Sequence, residues 1–232
     1  MKFELCAASL EAIRIAKEFD FDRIELCQNL EQGGITPSYG MIEYAIAFGI
    51  ETHVLIRPRP GGFHYSEDEV EVMLREIINC KEMGAAGIVI GALTETGEID
   101  EDVLIKIMAK SKGIEVTFHR AFDDCIEWKK AMDVLIENKV NRILSSGLSR
   151  NVEIGMPILE QMIAYSNGRI EIMTGGGVSA ANVNKINKEL KPDAIHFSGT
   201  IKFQQDEDSL FSESVLKVDK ARVQRILDAA KI

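Results

Sequence analysis

The chain has 232 residues, 46% hydrophobic and 28% charged, a balance that supports a packed core and excludes disorder. Its net charge of -10 and the absence of any basic run argue against nucleic-acid or anionic-lipid partners, although backbone amides can still hold a small anion. No apolar run reaches membrane-spanning length, the opening Met-Lys-Phe-Glu-Leu does not read as a secretory signal, and the four scattered cysteines form no CxxC pattern; a cytoplasmic protein without structural disulfides is expected.

In chain order, strands are expected at Lys2–Cys6 and Arg23–Cys27, with Ser9 capping the helix between them. Each strand ends in the same tripeptide, Glu4-Leu5-Cys6 and Glu25-Leu26-Cys27, and strand alternation puts each Glu and Cys on one face and each Leu on the other. Pro37 fits the first turn of the next helix. A third strand, Glu51–Arg57, runs into the cationic loop Arg57-Pro58-Arg59-Pro60-Gly61-Gly62; a helix capped by Ser66 and patterned by Val70, Met73, Leu74 and Ile77 follows. Further strands are expected at Gly87–Ile90, Ile114–His119, Arg142–Leu144, Ile170–Met173 and Ala194–Phe197, and Asp100 is a further helix cap. Residues 199–218, which contain Gln204-Gln205-Asp206-Glu207-Asp208, read as a polar loop, and Val218–Ala230 as a closing amphipathic helix.

Strand–helix units spaced about 28 residues apart predict an α/β protein, a single-domain (β/α)8 TIM barrel spanning residues 1–232. An open doubly wound sheet would bury both strand faces, whereas here one face is repeatedly polar: Glu4 and Cys6, Glu25 and Cys27, His53 and Arg57, Thr117 and His119, His196 and Ser198. In a barrel the functional groups gather at the C-terminal strand ends. There, Gly175-Gly176-Gly177 and Ser198-Gly199 would present backbone amides to an anion, with Arg57 or Arg120 adding charge; the alternative is a set of tight turns. Cys6 and Cys27 at matching strand ends could hold one soft cation, Cu(I) or zinc, or could be small buried hydrophobes. His119, Glu25 and Glu4 are the acid–base candidates, with His53 and His196 able to share that role or ligate a metal. The alternative for the glutamates is an interior ionic layer with Arg23, Arg57 or Arg142. Arg59 is expected to pair with the Glu67-Asp68-Glu69 run, and Cys80 and Cys125 to pack.

Long blocks then match a known family. They include Phe3-Glu4-Leu5-Cys6, Asp22–Cys27 with Glu31–Ser38, Ile56-Arg57-Pro58-Arg59, Gly87–Thr94, Phe118–Asp123, Ser146-Gly147 and Gly175–Val178. The chain resembles the CutC-type copper homeostasis proteins. The resemblance implies a cytoplasmic (β/α)8 barrel that self-associates, commonly as a homodimer, and binds copper(I) through cysteines at the positions of Cys6 and Cys27. Pro60, Thr174, Phe197 and Gly199 depart from the family's usual pattern around the glycine loop. The polar ring is larger than a metal ion needs. The competing expectation is therefore an enzyme acting on a small phosphorylated or carboxylated metabolite through His119 or Glu25.

Overall fold

Short runs in which apolar and polar residues alternate close on themselves here. The strands are β1 (Lys2–Ala7), β2 (Arg23–Leu26), β3 (Thr52–Leu55), β4 (Gly87–Ile90), β5 (Glu115–Phe118), β6 (Arg142–Ser145), β7 (Glu171–Thr174) and β8 (Ala194–Phe197). All are parallel, and β8 pairs back onto β1, so the sheet is a closed barrel. The computed structural model describes residues 1–204 and 214–231. Helices α1 (Leu10–Glu18), α2 (Tyr39–Ala47), α3 (Glu67–Met83), α4 (Glu101–Lys110), α5 (Trp128–Glu137), α6 (Val152–Ser166), α7 (Val183–Leu190) and α8 (Lys220–Ala230) surround it. None of the described helices is long and apolar enough to cross a membrane. The single-domain (β/α)8 expectation holds.

The apolar strand face, with Leu5, Ile24, Val54, Ile88, Phe118 and Ile195, merges with the helices into one buried shell. Burying each such side chain contributes about 1.5–3 kcal/mol, and this shell carries the fold. The inward face breaks into two small apolar patches, Cys6–Cys27–Leu55–Val89 and Leu144–Met173–Ala194, separated by charge.

The expected caps form. Ser9 accepts from the Ala12 amide, Asp100 accepts from Val103, and Ser66 and Glu69 make a reciprocal capping box. Pro37 instead lies ahead of its helix, because Ser38 takes the extended N-cap conformation and Tyr39 opens α2. Arg57 and His119 fall just beyond their strands: the Arg57 amide turns to Thr36 Oγ1, and His119 becomes the cap of a 3-10 turn, Arg120–Asp124.

The stretch 199–218, expected as a loop, carries two antiparallel strands, β9 (Thr200–Gln204) and β10 (Ser214–Val218). Its polar composition hid a short alternation: Ile201 and Phe203 sit among polar neighbours, with Phe203 opposite Val215 and the Lys217 ammonium 5.6 Å from the Phe203 ring centre. The remaining part of the expected loop, residues 205–213, lies outside the described residues. The hairpin reaches the segment after β2, where the Leu216 amide donates to Glu31 Oε1 at 2.6 Å.

Candidate functional site

Register decides which polar residues reach the mouth. On β1 and β2, Glu4 lies beside Arg23 and Cys6 beside Glu25, so the two Glu-Leu-Cys copies are offset by one layer. The first glutamate therefore sinks. Glu4 is fully buried, ion-paired with the equally buried Arg23, and its Oε1 lies 2.7 Å from His196 Nδ1. His196, Arg23 and His53 hold this carboxyl down at about 2 against the upward pull of burial, the largest single effect. His196 is pushed up in turn: burial opposes its charge, and the Glu25 and Glu4 carboxylates overcome that.

Glu25 sits one layer higher, at the floor of a cavity of about 390 Å³ formed at the C-terminal strand ends. It has no arginine partner; burial, helped by Glu4 and opposed by His196, pushes its carboxyl up to about 7. Its Oε1 accepts a long contact of 4.0 Å from the Cys6 thiol, and its Oε2 has no partner. The Cys6 and Cys27 sulfurs are 3.7 Å apart. The Cys27 thiol, burial and the two glutamates raise the Cys6 thiol well above its usual range, so it is a neutral thiol at neutral pH.

His119 is 7% exposed and borders the same cavity. Burial, then the Arg57 charge, drives its imidazole down to about 3. Nδ1 accepts the Ala121 amide at 3.0 Å, which puts the ring proton on Nε2, an atom with no partner. His119 is thus a neutral hydrogen-bond donor rather than a base. Gly91 admits the ring: a Cβ there would come within 2.2 Å of His119 Cε1. Phe63 covers the other side, 4.9 Å from the imidazole and 5.1 Å from the Arg57 guanidinium.

Arg57 is 5% exposed, and its two Nη atoms donate to the carbonyls of Gln32, Gly34 and Gly61. Nε is unpartnered, and among the described residues no carboxylate pairs with this guanidinium. Arg59, by contrast, pairs with Glu69 as expected. Arg120 reaches the cavity already braced by Asp123, Ser146 and the Ser149 carbonyl. Asp123 ties the loop after β6 together, accepting from Ser145 Oγ, Ser146 and the Leu148 amide.

The cavity thus gathers Cys6, Glu25, Arg57, His119, Arg120, Gly176, Gly177, Ser198 and Gly199. Glu4 and Cys27 lie behind its wall, and Gly175 packs on Leu144 and His196 instead of lining it. Glu4, an acid–base candidate from the sequence, is a fully buried, doubly paired carboxylate that does not line this cavity.

A family model described as CutC family matches residues 1–201. The chain belongs to the CutC family. The family protein CutC of Glaesserella parasuis is 41% identical over 233 residues, covering 100% of this chain and 96% of the relative. That of Bacteroides thetaiotaomicron is 42% identical over 88% of this chain and 83% of the relative. A crystal structure described as the putative copper homeostasis protein CutC from Streptococcus agalactiae superposes with a TM-score of 0.80 at 35% identity, covering 84% of this chain and 98% of that one. N-(5'-phosphoribosyl)anthranilate isomerase from Pyrococcus furiosus, at 15% identity and TM-score 0.58 over 100% of this chain and 98% of that one, shares the barrel fold.

Within this CutC-family site, the sequence reading gave no site role to Phe63, Gly91 or Arg222. Arg222 comes from the first turn of α8 and borders the cavity. Phe63 directly follows the cationic loop and would have been found by asking what covers a buried arginine. Gly91 carries a signal only once His119 is known to sit opposite. Nothing in the α8 sequence sets Arg222 apart from its helical neighbours.

Proposed function

We propose that this protein binds a small anionic metabolite in the mouth of its barrel and moves a proton on it with Glu25. The observation that carries this reading is that three residues bordering one cavity each keep a buried polar atom without a hydrogen-bond partner: Arg57 Nε, His119 Nε2 and Glu25 Oε2. Leaving such atoms without partners costs about 1–3 kcal/mol each, and a ligand bearing a carboxylate or phosphate beside a carbonyl satisfies all three. The Arg57 charge attracts the anionic group. Glu25, at about 7, is close to half ionised at neutral pH and can take a proton from the carbon next to the carbonyl. His119 Nε2–H donates to the carbonyl oxygen as negative charge grows there and keeps its own proton. With an α-hydroxy carbonyl ligand, Glu25 then returns the proton to the former carbonyl carbon while the ligand's own hydroxyl proton passes to the former carbonyl oxygen, which closes an isomerisation without any co-reactant.

The reading is tested by thermal-shift screening of sugar phosphates and small keto acids against the wild type, Arg57→Gln and His119→Asn. Ligands that stabilise the wild type and lose at least tenfold in affinity in both variants support it. A wild type that responds to none of these, or variants that respond equally, would sink it.

A second reading rests on the 3.7 Å separation of the Cys6 and Cys27 sulfurs, close enough for one ion to touch both. On this reading the protein binds Cu(I), in keeping with the copper homeostasis named for the Streptococcus agalactiae relative. Two thiolates suit a soft ion, and free thiols require the reducing conditions of the cytoplasm. Binding must expel the proton that Cys6 holds at neutral pH, so affinity would rise with pH. A Cu(I) titration against a competing chelator, with the Cys6→Ser/Cys27→Ser double variant as control, decides this reading; equal affinity in the two proteins rules it out.

A further inference from the structure

The opposite, N-terminal end of the barrel holds a second cluster that the mouth does not use. His53, on β3, is fully buried, and its Nε2 lies 3.4 Å from Glu51 Oε1 and 3.8 Å from Glu115 Oε2. Both distances exceed a good hydrogen bond, and neither ring nitrogen has a hydrogen-bond partner. The ring lies against Gly87 of β4, where a Cβ would come within 2.7 Å of both His53 Nδ1 and Cε1, and Nε2 faces the two carboxylates. The latter are the adaptable members, Glu51 being 45% and Glu115 44% exposed at the side chain.

A nitrogen from His53 and oxygens from Glu51 and Glu115 lie within 4.8 Å of one another. An ion held at about 2.0–2.2 Å from each ligand closes that span with small rotations of the two half-exposed side chains. Charge agrees. Arg142 donates to Glu115 Oε2 at 2.9 Å and to Glu171 Oε2 at 2.6 Å, which leaves Glu115 Oε1 for another partner. The carboxylates of Glu51, Glu115 and Glu171 face Arg142 and the exposed Lys2 at this end of the barrel, while Arg23, which also acts on Glu51, is ion-paired with Glu4. One imidazole and two carboxylates, with no thiolate, form a donor set for a borderline divalent ion rather than for Cu(I).

We propose that Glu51, His53 and Glu115 form a binding site for a divalent transition ion of the zinc and cobalt class, at the base of the barrel and independent of the mouth. The site would tie β3 to β5 across β4 and satisfy the buried imidazole.

The test is a Co2+ titration followed by visible absorption, since cobalt bound by nitrogen and oxygen shows d–d bands without the near-ultraviolet band of a cobalt–thiolate bond. The Cys6→Ser/Cys27→Ser protein should bind one ion per chain with no thiolate band. His53→Gln in that background should abolish binding, and Glu51→Gln should weaken it at least tenfold. Glu51 is half exposed, so that variant decides the matter if His53→Gln does not fold. A zinc-soaked wild-type crystal should show an anomalous peak in coordination distance of His53 Nε2, which covers the case in which the thiol variant fails. No stoichiometric binding to the thiol-free protein, binding unchanged by Glu51→Gln, or a soaked crystal without that peak overturns the proposal and leaves His53 as a buried ring packed beside the two glutamates.

Discussion

Replacing Glu25 with glutamine should stabilise the protein, and the gain should grow with pH. The carboxyl is raised from 4.5 to about 7 in the folded state, chiefly by burial. The folded chain thus holds this proton more tightly than the unfolded chain does. Stability from this group is greatest below 4.5, falls as pH rises between 4.5 and about 7, and is lowest above that. At about 1.36 kcal/mol per unit, the ionised group costs the fold about 3 kcal/mol at pH 8. Glutamine is neutral at every pH and its amide oxygen can still accept from Cys6, so the variant escapes this cost. For a chain of this size about 3 kcal/mol moves Tm by roughly 6–12 °C. Calorimetry of both ligand-free proteins at pH 5 and pH 8 should show nearly equal Tm values at pH 5 and a more stable variant at pH 8. A Tm difference that is the same at both pH values would refute the burial argument. In the enzyme reading the same variant loses about 100- to 10,000-fold in turnover, so one substitution trades function for stability.

The companion substitution, Glu4→Gln, should have the opposite sign at neutral pH: it strips the buried Arg23 of its counter-charge and should cost about 3–5 kcal/mol, read as a drop in urea midpoint. His119, held at about 3, should stay uncharged from pH 5 to 8 with its proton on Nε2; nitrogen-detected NMR showing a titration near pH 6.5 would contradict this. Gly91→Ala should displace the His119 ring and cost about 1–3 kcal/mol, with ligand affinity falling alongside stability; an unchanged protein would show that the ring has room to move.

Much of this was legible in the sequence, because strand alternation is local. The faces of Glu4, Cys6, Glu25 and His119 follow from the period of two, and the barrel from the repetition of strand and helix. Depth along the barrel axis is not local. The two Glu-Leu-Cys copies are identical in sequence, yet the β1–β2 register places Cys6 level with Glu25. One glutamate becomes a permanently ionised strut and the other a carboxyl near neutrality. Similarly, His119 stands out as an acid–base candidate by residue type, but the amide of Ala121 fixes its proton, and burial together with the nearby Arg57 fixes its charge state. The β9–β10 hairpin was missed because its polar residues masked a short alternation, and Arg222 because its place at the mouth depends on where α8 docks.

The carbonyl cage around Arg57 has a consequence for recognition. A free arginine side chain carries about 2 kcal/mol of rotamer entropy, which a ligand must ordinarily overcome to immobilise it. Here the carbonyls of Gln32, Gly34 and Gly61 freeze the guanidinium during folding. The receptor is rigid before its guest arrives, so encounter and capture can occur in one step without local rearrangement. Lysine, with a single ammonium in place of the planar fork, cannot span those three anchors. It would keep the charge but lose the rigidity.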